Sequence, residues 1–278
     1  MTTHSKRTPA RLATIAAIFF LAAQPVMGTL IYSQDFESLD TGDLHNQAGF
    51  TVDSGTRTYT VVDTGGLSYT SGSVAHGGGD QRLILSRTNG GLFSAAHVSF
   101  TPTDADEVYF SFLFRYASAS SSNSMFFALS DSVSLNKSAA SVFVGSPNSF
   151  QARVYPDSPD FADAETDNFG SPAANTTYLM VGRVSKTTPG GNYNRLELLA
   201  NPDSLTAPAT WGGTVDLDMT IDELDRLYFF IGGSSNDFQM DDIRVGTSYD
   251  SVVIPEPGTL VLLGIALGAA FLATRRRK

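Results

Sequence analysis

The chain has 278 residues, a formal net charge of −10 and no cysteine. Hydrophobic residues make up 42% and charged residues 17%, enough apolar content for a packed core and too little charge for a disordered chain. The acidic balance excludes a phosphate-gripping nucleic-acid binder, and the missing cysteines exclude a disulfide scaffold, a thiolate metal centre and a Cys nucleophile.

Residues 1–28 read as a secretory signal peptide. Lys6, Arg7 and Arg11 form a basic start, Leu12 to Ala23 is an apolar run, and Val26-Met27-Gly28 offers a cut after Gly28. The run is shorter than the roughly 20 residues a spanning helix needs.

Residues 29–254 form the body, predicted as one domain. Without the two ends it holds 11 basic and 27 acidic groups, a net charge of −16. Such a surface favours solubility and supplies hard oxygen ligands of the kind Ca²⁺ takes.

Runs rich in Val, Ile, Phe, Tyr and Thr predict strands over Leu30–Phe36, Thr58–Val62, Arg82–Ser86, Glu107–Tyr116, Ser124–Leu129 and Ser141–Val144. Further strands are predicted over Phe150–Tyr155, Thr177–Lys186, Tyr193–Ala200, Arg226–Gly232 and Gln239–Gly246. In Glu107–Tyr116 a period of two puts Val108, Phe110, Phe112 and Phe114 on one face and Tyr109, Ser111, Leu113 and Arg115 on the other. Clusters of Gly, Ser, Asn, Asp and Pro separate the strands, and residues 156–172 read as one acidic loop. The one predicted helix is Thr220 to Arg226, where Thr220 and Glu223 could form a capping box. Many short strands with such turns predict an all-β sandwich or barrel.

The chain ends in Pro255-Glu256-Pro257-Gly258, an apolar stretch whose Leu260 to Ala273 reads as a short transmembrane helix, and Arg275-Arg276-Arg277-Lys278. The basic end would stay on the cytoplasmic side and hold the exported chain at the inner membrane transiently.

These three parts, in this order, resemble the PEP-CTERM sorting signal of Gram-negative bacteria. The resemblance implies that an exosortase-type enzyme cuts near the motif and releases the protein outward. Residues 255–278 are then its substrate region. Pro255, Glu256 and Pro257, with Arg275, Arg276 and Arg277, carry recognition and no catalysis. The body segments LIYSQDFE, EVYFSFLFRY, YLMVGRVSK and FQMDDIRVG are similar to concanavalin A-like, LamG-type jelly rolls. That resemblance implies an antiparallel jelly-roll β-sandwich.

Three clusters are candidate sites. Asp35 and Glu37 lie two apart on the first strand and share a face, while Asp237, Asp241 and Asp242 surround the last strand. First and last strands are often neighbours in jelly rolls, so these residues could bind Ca²⁺, the one cofactor indicated. Alternatively they are edge charges facing solvent, with Asp242 paired to Arg244. Asp216-Leu217-Asp218-Met219-Thr220 approaches the E-x-D-x-E pattern of jelly-roll glucanases but lacks one carboxylate, which argues against an enzyme. Trp211, Tyr193 and Tyr155, with Phe161 and Phe169, sit in or beside Asp- and Asn-rich stretches and form either a sugar-stacking platform or core. His45, His76 and His97 are spread apart, which favours turn or surface roles.

The expected function is that of an exported, non-enzymatic cell-surface or matrix protein that binds extracellular polysaccharide. A purely structural or adhesive surface protein, and a glycan hydrolase or lyase, are the alternatives.

Overall fold

The computed structural model describes residues 28–53, 57–77, 79–87, 95–116, 124–131, 139–145, 149–156, 163–232 and 238–254. The expected signal peptide and the C-terminal helix lie outside them. Among the described residues no helix is long and apolar enough to cross a membrane.

The strands follow from alternation. In β9 (Glu107–Tyr116), Val108, Phe110, Phe112 and Phe114 all point into the main core and are fully buried. The described strands form two large antiparallel sheets and a small hairpin. One sheet runs β16 (Gly213–Asp216), β15 (Arg195–Ala200), β14 (Thr177–Ser185), β9, β18 (Phe238–Gly246), β7 (Arg82–Arg87), β4 (Arg57–Val62), β2 (Gly42–Asp43), with β1 (Leu30–Gln34) also on β18. The other runs β13 (Glu165–Phe169), β12 (Ser149–Tyr155), β11 (Ala139–Gly145), β10 (Ser124–Ser130), β17 (Leu224–Gly232), β8 (Ala96–Thr103), β3 (Thr51–Val52). The hairpin is β5 (Ser68–Ser71) with β6 (Val74–Gly77). The fold is the expected all-β antiparallel sandwich, with its main core between the two large sheets.

The nine-stranded sheet is covered on its outer side as well. Tyr109 and Leu113 of β9, with Leu179 and Val181 of β14, pack there against Leu67, Val74 and a short helix, α1 (Tyr249–Val253). β9 is therefore buried on both faces along Tyr109–Leu113, with Ser111 as the polar member of the outer one.

Two local expectations are corrected. Residues 220–226 are not helical: Thr220 has φ 60° and β17 begins at Leu224. Met219, Ile221 and Leu224 are buried in the main core. The backbone bonds Met219 N–H to Tyr193 O (3.0 Å) and Tyr193 N–H to Ile221 O (2.8 Å) hold this segment against Tyr193, so docking outweighs the capping pattern. The helix forms instead at Tyr249–Val253, where Ser248 and Ser251 make a reciprocal capping box. The acidic stretch 156–172 contains β13, an edge strand whose acidic side chains discourage further pairing.

Candidate functional site

β18 changes partner along one edge. Phe238–Met240 pair with β7, while Ile243–Gly246 pair with β1. Against β9 on its other edge, the register shifts between Asp241 and Arg244. Such a bulge re-aims side chains and bends a strand, and Asp242 sits in it with φ 44°, a region that disfavours most side chains. The result is a cavity of about 330 Å³ lined by Asp35, Glu37, Gly77, Gly79, Asp241, Asp242 and Arg244.

The fold thus brings four of the five expected metal-ligand residues to one cavity; Asp237 lies outside the described residues. The solvent-facing alternative fails for two of them, since Asp241 is 2% and Asp242 4% exposed. The expected Asp242–Arg244 pair is present, with Arg244 Nε donating to Asp242 Oδ1 at 2.8 Å.

Each carboxylate is also bonded to donors of the chain itself. Asp241 Oδ2 accepts from Leu67 N–H and its Oδ1 from Asp242 N–H, both at 2.8 Å. Asp242 Oδ2 accepts from Gly77 N–H at 3.1 Å and meets His76 Nδ1 at 2.8 Å. Glu37 Oε1 accepts from Gln81 N–H at 2.8 Å, and Asp35 Oδ1 from Glu37 N–H at 3.2 Å. A Cβ on Gly79 would meet the end of the exposed Glu37 side chain, which would have to move aside. Among the described residues no three His, Asp or Glu side chains converge closely enough to hold a metal ion. In this arrangement the bonded carboxylate oxygens face backbone N–H groups, His76 and Arg244.

The two adjacent aspartates titrate in opposite directions. Burial pushes Asp241 up to about 7, against the pull of its two backbone donors. Burial would raise Asp242 too, but His76 and Arg244 outweigh it and hold that carboxyl down at about 2. His76 is buried, which corrects its expected turn or surface role. Its Nε2 meets the Val253 carbonyl oxygen at 2.7 Å, so both ring nitrogens face oxygen atoms. Nothing in the spacing of His76, Asp242 and Val253 announced this contact, because the sheet closes a gap of more than 160 residues.

Of the two arrangements open to the aromatic residues, Tyr193 and Tyr155 take the buried one. Tyr193 is fully buried, its hydroxyl donating to Ala105 O at 2.7 Å and its ring under Lys186 Nζ at 4.7 Å. Tyr155 is 6% exposed, with its ring 5.6 Å from that of Phe126. Neither ring has a face free to stack on a sugar. Trp211 is half-buried at the edge of the outer cluster, 6.3 Å from the Tyr249 ring and 5.5 Å from the Arg183 guanidinium. Phe169 packs against the main core, and Phe161 lies outside the described residues. Asp216 is held bidentately by Arg195 (2.6 and 3.1 Å), and Asp218 takes Thr220 N–H and Asn192 Nδ2.

A further polar face lies on the outer side of the seven-stranded sheet. Ser149, Gln151, Arg153 and Tyr155 alternate along β12 with the core residues Phe150, Ala152 and Val154. The Arg153 guanidinium sits 3.8 Å over the Phe143 ring, and its Nε donates to Gln151 Oε1 at 2.8 Å. Arg153 also donates to the Tyr155 hydroxyl at 3.3 Å, and Ser149 Oγ lies 3.4 Å from Asn168 Oδ1 on β13. The signal was a polar residue at every second position of an otherwise apolar strand.

Residues 253–278 match the family model of the PEP-CTERM protein-sorting motif, so the chain carries that motif at its C-terminus. A motif of this class implies export and processing by an exosortase-type enzyme. A search of curated proteins finds no match. Among solved structures the chain is similar to a sialidase, at 9% identity and TM-score 0.51, over 80% of this chain and 19% of the sialidase. It therefore spans 19% of that enzyme's length, and the likeness shows the fold. The T. cruzi calreticulin globular domain is similar at 13% identity and TM-score 0.48, over 90% of this chain and 100% of the domain. The marine PL-14 alginate lyase from Aplysia kurodai is similar at 8% identity and TM-score 0.48, over 78% of this chain and 98% of the lyase.

Proposed function

We propose that this chain is an exported, non-enzymatic bacterial surface or matrix protein whose sandwich contacts extracellular polysaccharide. The observation that carries the reading is the sorting motif at 253–278, which begins on the last residue of α1. In this reading residues 1–28 are removed on export, 29–254 are the delivered body, and 255–278 hold the chain at the membrane until an exosortase-type enzyme cuts. The polysaccharide contact is assigned to Arg153, Ser149 and Phe143, a guanidinium and a hydroxyl beside an aromatic ring, the mix that sugar hydroxyls and apolar sugar faces require. The absence of turnover is favoured by Asp216 and Asp218, whose carboxylates are tied to Arg195 and to Thr220 and Asn192.

One observation favours a structural surface protein without a ligand: Arg153 and Gln151 already satisfy one another. A glycan array probed with the full chain in detergent, in Ca²⁺ and in EDTA, decides. Saturable binding that weakens at least about tenfold in Arg153→Ala supports the proposal, since a charged hydrogen bond is worth about 1.5–3 kcal/mol. No binding by the wild-type chain moves the function to the structural reading. Polysaccharide turnover would overturn the non-enzymatic reading.

A further inference from the structure

The last described residues before the Pro-Glu-Pro motif are held by three body side chains through three successive carbonyls. Ser111 Oγ of β9 donates to Val252 O at 2.7 Å. His76 Nε2 of β6 donates to Val253 O at 2.7 Å. Arg244 Nη1 of β18 donates to Ile254 O at 2.9 Å. Two of these donors are themselves fixed by one group, because Asp242 receives His76 Nδ1 on one oxygen and Arg244 Nε on the other, each at 2.8 Å. Below them Tyr249, Val252 and Val253 are buried against the outer side of the nine-stranded sheet. Asp242 occupies its strained position in the bulge with both oxygens engaged here, and strain of that kind persists where its surroundings over-determine it.

A peptide bond is cut by a protease only when its neighbours leave the body and enter the enzyme as an extended strand. Residues 252–254 cannot do so without breaking these bonds and exposing two buried valines. We propose that Asp242, His76, Arg244 and Ser111 form a clamp that sets the upstream limit of processing, so that any cut at the sorting motif falls C-terminal to Ile254 and the released body keeps α1. Val253 and Ile254 belong to the matched motif and to the folded body at once. The clamp makes the body's edge the ruler for the processing enzyme. This inference rests on the sorting reading.

The test is trimming of the full chain in detergent with a broad-specificity protease, followed by the intact mass of the surviving body. The wild-type body should end at Ile254 or later. Ser111→Ala and Arg244→Ala should each speed the appearance of ends within 249–253 by about tenfold, the effect of losing one buried hydrogen bond on an opening equilibrium. A wild-type body trimmed inside α1, or variants whose ends match the wild type, overturns the clamp. If Arg244→Ala no longer melts cooperatively, Ser111→Ala reads the same boundary by removing one hydroxyl. In producing cells the two readings separate. Normal release after Pro255, Glu256 and Pro257 are replaced by alanine sinks the sorting reading and leaves the trimming result standing. A released wild-type body that ends before Ile254 sinks the clamp and leaves sorting intact.

Discussion

Asp241→Asn isolates the cost of a buried charge. Asp241 is 2% exposed, accepts two backbone N–H bonds among the described residues and is pushed up to about 7 from an ordinary 3.8. The unfolded chain gives up this proton near its ordinary value, whereas the folded chain keeps it until about 7. Between those values the native state binds more protons than the unfolded state, so stability falls as pH rises. The difference of about 3 units amounts to about 4 kcal/mol by pH 8 and about 2 kcal/mol at pH 5.5. Asparagine cannot ionise, and its amide NH₂ leaves one of the two backbone donors without an acceptor, a pH-independent cost of about 1–3 kcal/mol. Asp242 does not blur the window, because its depressed carboxyl contributes stability that is present above 3.8 and lost as pH falls toward 2. Urea unfolding of both proteins from pH 4 to 8, in EDTA, should show the variant gaining about 4 kcal/mol relative to the wild type. A difference that stays flat within about 1 kcal/mol across that range would refute a buried, charge-resisting Asp241.

Three further outcomes are expected. Phe127→Ala removes a ring stacked 4.3 Å from Phe112 at the centre of the core, and should cost about 3–5 kcal/mol in urea unfolding. Gly182→Ala would place a Cβ 2.1 Å from the Phe110 ring and 2.8 Å from Leu198, so thermal melting should report an overpacking loss of about 1–3 kcal/mol. Arg195→Ala breaks a surface pair whose partners are 38% and 57% exposed, and should shift stability by less than about 1 kcal/mol. A larger loss would show that pair holding β15 to β16.

Local order carried most of the strand layout. The alternation in Glu107–Tyr116 matches β9, with Val108, Phe110, Phe112 and Phe114 on the core face, because side chains two apart on a strand share a face. Asp35, Glu37, Asp241 and Asp242 were gathered from the expectation that first and last strands meet, and β1 does pair with β18. Their partners were not legible. His76 comes from a hairpin far from both strands, and its contact with Asp242 exists only because β5–β6 folds over the outer side of the sheet. Thr220 and Glu223 have the spacing of a helix start, yet burial of Met219, Ile221 and Leu224 keeps the segment out of a helix. Tyr193 and Tyr155 looked like loop aromatics because sequence shows ring type and turn context but not which way a ring points.

What the sequence determined by itself was whatever depends on neighbours along the chain: strand period, turn chemistry, the acidic balance, and a C-terminal motif whose parts are contiguous. What only the tertiary structure decided depends on distant segments meeting. The bulge in β18 puts two adjacent aspartates in opposite protonation regimes, and side chains from β6, β9 and β18 grip three consecutive carbonyls of the exit segment. The physical reason is the same in each case. A side chain's environment is set by which strands become neighbours, and that choice is made by burial of the whole core.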